Sequence, residues 1–101
     1  MNMNMLFCKL IVSGVLLGGV LGSAQADVNE LYKQSCATCH AAGVLGAQKA
    51  GDRAAWAKLM AKGLPALVQS TKNGYKNMPA RGLCDSCSDA DYAALIQMMA
   101  K

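Results

Sequence analysis

The sequence predicts an all-α fold, a single small domain of three or four helices. Three observations carry that reading. Apolar residues recur at steps of three and four along separate stretches, no stretch shows the two-residue alternation of a strand, and glycines or prolines punctuate the boundaries between stretches. The 101 residues hold one domain, near the lower end of what an apolar core alone can stabilise. There is no internal repeat and no low-complexity tract.

The first 26 residues stand apart from that domain. Lys9 precedes LIVSGVLLGGVLG, and Ser23, Ala24, Gln25 and Ala26 follow it. A basic start, a short apolar run and an Ala24-x-Ala26 end read as a secretory signal peptide over residues 1–26, with cleavage expected after Ala26 and a functional domain over 27–101. The alternative is a membrane anchor. The run, however, falls short of the roughly 18 to 20 residues a span requires, and Gly14, Gly18, Gly19 and Gly22 weaken it. No other segment is apolar enough to span, so no stable membrane span is expected after cleavage.

Export changes what the remaining residues must explain. Cys8 leaves with the signal, and Cys36, Cys39, Cys84 and Cys87 remain. In an oxidising compartment vicinal thiols stay free only when something binds them. Met60, Met78, Met98 and Met99 are the methionines that stay. Loss of Lys9 leaves nine basic residues against six acidic ones, a net +3. That mild balance excludes a nucleic-acid binder, which needs a denser basic face with aromatic partners. Seven of the basic residues lie between Lys49 and Arg81 with one acid, Asp52, among them.

Each helix has its own signals. Val28, Leu31, Tyr32 and Ser35 or Cys36 predict a helix from Asp27 to Cys39, with Asp27 or Asn29 as cap. Glycines at 43, 46 and 51 make 41–51 a loop. Asp52 reads as the N-cap of a helix to Lys62, with Trp56, Leu59 and Met60 on its apolar face and Gly63 as its stop. Pro65 opens a further short helix that carries Leu64, Leu67, Val68 and Thr71 to Gly74. Residues 75–87 read as irregular. Ser88 and Asp91 then form a capping box for a last helix striped by Tyr92, Leu95, Ile96 and Met99. The stripes supply about a dozen sizeable apolar side chains for 75 residues, a core too thin to stand alone. A buried prosthetic group would complete it.

The chemistry lies in CATCH, residues 36–40. C-x-x-C-H is the attachment signal of c-type haem. On a helical turn Cys36 and Cys39 project to one side, so each sulfur reaches one vinyl group of the same porphyrin, and His40 offers its imidazole to the iron. The competing readings are a dithiol redox module, which normally follows a strand, and half of a zinc site. For zinc, 44 residues separate the two C-x-x-C pairs, against roughly 15 to 20 in a common ribbon, and His40 would be idle. Cys84 and Cys87 precede Ser88, not histidine, so the expectation for them is a disulfide that fixes the irregular segment.

No second histidine exists, so methionine is the expected sixth ligand. Met60, Met98 and Met99 lie in helices, where methionine usually fills core space. Met78 sits in Asn77-Met78-Pro79, and Pro79 biases it toward extended backbone that presents its side chain. Met78 is therefore the expected ligand. A packing methionine beside an open sixth position, as in a haem sensor or enzyme, is the alternative.

CATCH, GAQKAGD at 46–52, Trp56 and above all MPARGLCDSCSDADY at 78–92 resemble the cytochrome c5 type of monohaem cytochrome c, within the class I fold. The resemblance covers nearly all of residues 27–101. It implies an exported, periplasmic electron carrier of bacterial respiration and not an enzyme: a class I helical domain around one covalent haem c. Cys36 and Cys39 would be the thioether positions, His40 and Met78 the axial ligands, and Cys84–Cys87 a disulfide. Trp56 would match the family tryptophan near the haem propionates, or else serve as an ordinary core anchor. The carrier would be a monomer or weak dimer meeting redox partners at the haem edge, with the Lys49–Arg81 segment steering acidic faces. The chain departs from the family at two positions. Gln48 replaces a proline whose carbonyl accepts the proton of the ligand histidine, and Leu83 replaces a glycine.

Overall fold

The computed structural model describes residues 27–101; the signal-peptide reading of 1–26 lies outside the described residues. Four helical rods and no strand make up the described chain. The first is continuous but not uniform: α1 (Val28–Leu31), a π-helical turn (Tyr32–Cys36) and α2 (Ala37–His40). Asp27 caps it, accepting from the Asn29 N–H at 2.9 Å. The π turn was not anticipated, and its cause is local. The Ser35 hydroxyl takes the Leu31 carbonyl at 2.6 Å, while the Ala37 N–H reaches back to Tyr32, one residue further than in an α-helix.

The next three helices follow their caps. Asp52 accepts from the Ala55 N–H at 3.2 Å and starts α3 (Arg53–Met60), which ends in a turn over 61–62, two residues short of the expected stop. Such terminal differences reflect fraying of the last turn. Gly63 and Pro65 start α4 (Leu64–Asn73), and Gly74 ends it. The Ser88–Asp91 capping box is complete at the head of α5 (Asp89–Met99). Two short 3₁₀ turns, Val44–Gly46 and Ala80–Leu83, lie in segments read as irregular.

The core is built on α5. Tyr92, Leu95, Ile96 and Met99 bury against Leu67 and Val68 of α4 and Trp56 of α3, with Val28, Leu31 and Tyr32 partly buried at the edge. Cys84 and Cys87 are joined as a disulfide, and both belong to this core. The Tyr92 hydroxyl donates to the Cys84 carbonyl at 2.7 Å, so the disulfide segment is bonded to α5 from inside. Leu83 precedes it with φ 65, a left-handed conformation that explains why glycine suits the position. An aliphatic residue there costs on the order of 1–2 kcal/mol.

Tyr92→Phe removes the hydroxyl donor to the Cys84 carbonyl and leaves that oxygen with the Cys87 N–H alone, at 3.2 Å. Equilibrium denaturation is expected to show a loss of about 1 kcal/mol, the net value of one hydrogen bond, with an unchanged denaturant slope.

Candidate cofactor site

Helix geometry gathers the CATCH side chains. Cys36 ends the π turn, and Cys39 and His40 close α2, so all three face one cavity of about 360 Å³. Both thiols are free and half-buried. Burial pushes the Cys36 thiol above its ordinary pKa, and the adjacent Ser35 hydroxyl offsets part of that rise.

His40 is buried and oriented by backbone. Its Nδ1 lies 2.6 Å from the Gln48 carbonyl oxygen, which can only accept, so Nδ1 carries the proton and Nε2 keeps its lone pair. This bond to the histidine survives replacement of the family proline by Gln48, because it uses a main-chain carbonyl. The loop presenting that carbonyl is held immediately beyond it. The Trp56 indole donates to the Lys49 carbonyl at 2.9 Å, and the Ala50 N–H returns to the His40 carbonyl at 2.8 Å. Trp56 also packs on the imidazole, with ring centroids 5.7 Å apart, but does not line the cavity. It supports the histidine from behind.

Met78 lines the same cavity, whereas Met60 and Met98 pack against the core and Met99 lies within it. Tyr75 and Met78 exchange both backbone hydrogen bonds, at 2.9 and 2.8 Å, in a closed turn that presents the methionine. Gly82 receives its methyl: a Cβ there would sit 3.0 Å from Met78 Cε. Sequence reasoning did not single out Gly82, although its neighbourhood to Met78 and a positive φ of 54 make it a position for glycine.

The donors fit a planar apolar group that carries a metal. Two thiols one helical turn apart, an imidazole nitrogen with no hydrogen bond, and a thioether share one space. Every exposed large apolar side chain among the described residues, Val44 (41%), Leu45 (71%), Tyr75 (49%) and Leu83 (55%), also lines it. An apolar ring plane would cover such a rim. The zinc arrangement is not formed. Cys84 and Cys87 are bonded to each other, and among the described residues no cluster of three or more histidine, cysteine or acidic side chains could hold a metal ion.

Over most of its length the chain is similar to known proteins. A family model described as cytochrome c oxidase, cbb3-type, subunit III matches residues 23–99. Cytochrome c-555 of Chlorobaculum tepidum is 39% identical over 99 residues, covering 87% of this chain and 92% of that protein. Cytochrome c5 of Ectopseudomonas mendocina is 36% identical over 80 residues, covering 77% and 92%. Among solved structures, a chain from an electron-transfer complex of nitrite reductase with cytochrome c superposes with a TM-score of 0.66 at 36% identity, covering 76% of this chain and all of that one.

Gly46 and Gly82 both have positive φ, but an added Cβ meets nothing within 4 Å at Gly46. Alanine at Gly46 is expected to cost about 1 kcal/mol of unfolding free energy, and at Gly82 about 2–3 kcal/mol. Adding Met78→Ala to Gly82→Ala should remove the excess, read as a double-mutant cycle in chemical denaturation.

Proposed function

This chain belongs to the cytochrome c family of its c5 and c-555 relatives, and on that premise we propose that Cys36 and Cys39 bind the haem and that His40 and Met78 are its axial ligands. The protein carries one covalent haem c, bound through two cysteines, and works as an electron carrier. When bound, the haem supplies a one-electron Fe(III)/Fe(II) couple. The observation that carries the residue assignment is a single cavity lined jointly by Cys36, Cys39, His40 and Met78.

Each residue has a distinct task. The two sulfurs fix the ring edge to the first helix, and His40 donates from Nε2 while Gln48 retains the proton on Nδ1. With His40 and Met78 both holding the haem iron, no place would be left for substrate, which favours electron transfer over catalysis. Such a carrier needs little rearrangement between its two oxidation states. Export to the periplasm is consistent with the buried Cys84–Cys87 disulfide, which requires an oxidising compartment.

Redox proteins are its partners, and acidic faces are the ones its charge suits. Lys62 and Lys76 place their ammonium groups 5.4 and 5.5 Å from the centroid of the Tyr75 ring, which lines the cavity. These cations steer encounter more than they hold a complex.

Mass spectrometry of the chain purified after export is expected to show polypeptide plus one haem, retained under denaturation, and a visible absorption spectrum typical of haem c. Replacing both Cys36 and Cys39 with alanine should abolish the covalent adduct; its persistence would sink the assignment. Electron exchange with an acidic partner should slow several-fold as ionic strength rises from about 0.01 to 0.3 M, because screening shortens the reach of the lysines. A salt-independent rate counts against the steering role.

A further inference from the structure

Two loops line the cavity from distant parts of the sequence, the Val44–Gly46 turn beyond His40 and the Tyr75–Met78 turn. One direct side-chain bond joins them. Asn77 Nδ2 donates to the Leu45 carbonyl at 3.2 Å, across 32 positions of sequence. Both ends are held in tight backbone. Leu45 has φ 54, and Asn77 follows Lys76 at φ 52 inside the closed Tyr75–Met78 turn. A turn bonded at both ends cannot move Asn77 without moving Met78, its immediate neighbour.

We propose that Asn77 is a positioning residue whose amide straps the Met78 turn to the Leu45 turn, and so sets how readily Met78 gives way to a small ligand from solution. This rests on the reading of Met78 as an axial ligand. The bond does not touch the cofactor and acts through its neighbour. It is solvent-exposed on both partners, so its loss should loosen the turn without unfolding the domain. A single net hydrogen bond corresponds to roughly a two- to tenfold change in an equilibrium.

The test uses the haem-loaded protein in its ferric form, titrated with imidazole and followed by visible absorption. Wild type, Asn77→Ala, Asn77→Asp and Met78→Ala are compared. Asn77→Ala is expected to bind imidazole about five-fold more tightly than wild type. Asn77→Asp keeps the size but has no donor and opposes a carboxylate to the Leu45 carbonyl, so it should bind at least as tightly as Asn77→Ala. Met78→Ala sets the fully open limit. If wild type already binds as tightly as Met78→Ala, the axial reading of Met78 fails, and the strap with it. If wild type resists imidazole and either Asn77 variant matches wild type, the strap is overturned while the axial reading stands. Thermal midpoints of the same variants give the second readout: a midpoint that falls with no change in imidazole affinity marks Asn77 as merely structural and also overturns the proposal.

Discussion

An imidazole has two nitrogens, and one must be turned away from the cavity for the other to be usable. In this chain the Gln48 carbonyl makes that choice by holding the Nδ1 proton at 2.6 Å. The carbonyl is useful only if it stays put, and much of the nearby structure immobilises it. Trp56 binds the next carbonyl, the Ala50 N–H returns to His40, and the Gly51 N–H donates to Met99 at the end of α5 at 2.7 Å. The last of these bonds connects the histidine loop directly to the core helix. Replacement of proline by Gln48 is tolerable under this arrangement, because rigidity comes from three surrounding bonds and not from a pyrrolidine ring.

The methionine side depends on a different anchor. Cys84 and Cys87 lie within the core, and Tyr92 bonds the Cys84 carbonyl from α5, so the segment entering the last helix is fixed from below. A disulfide across so short a loop removes little unfolded-state entropy. Its value here is positional: it supplies compact apolar volume where a thin core needs it and fixes the chain at the end of the Ala80–Leu83 turn. Gly82 then shapes the seat of the Met78 methyl. One helix, α5, thus supports both sides of the cavity.

Local chemistry made most of this legible before any coordinates. Asp52, Gly63, Pro65, Gly74 and the Ser88–Asp91 box mark helix ends because each satisfies or relieves backbone groups within three residues of itself. The context of Met78 beside Pro79 separated it from three helical methionines, and it is the methionine that lines the cavity. What escaped the sequence was set by competition or distance. The π turn accompanies a serine hydroxyl that bonds the carbonyl four residues back, a contact with no pattern in the sequence. Leu45, Lys76, Arg81 and Leu83 adopt positive φ, a conformation for which only glycine or asparagine gives a sequence signal. Trp56 could be read equally as a propionate neighbour or a core anchor, since its choice of the Lys49 carbonyl is a tertiary fact. The Asn77 bond spans 32 positions and has no periodicity to betray it.

The two sides of the cavity also differ in how far the chain must travel to build them. Cys36, Cys39, His40 and Gln48 lie within thirteen consecutive positions, so their arrangement closes only short loops. Met78 and Leu83 arrive from the far half of the chain and depend on α4 and α5 having docked. Short-range order forms sooner than long-range order. A newly made polypeptide can therefore gather Cys36, Cys39 and His40 while the opposite side of the cavity is still open, and final collapse of that side then follows. Until that happens, Val44, Leu45, Tyr75 and Leu83 together leave a sticky face in water. Prompt attachment protects the chain from self-association as much as it equips it for redox work.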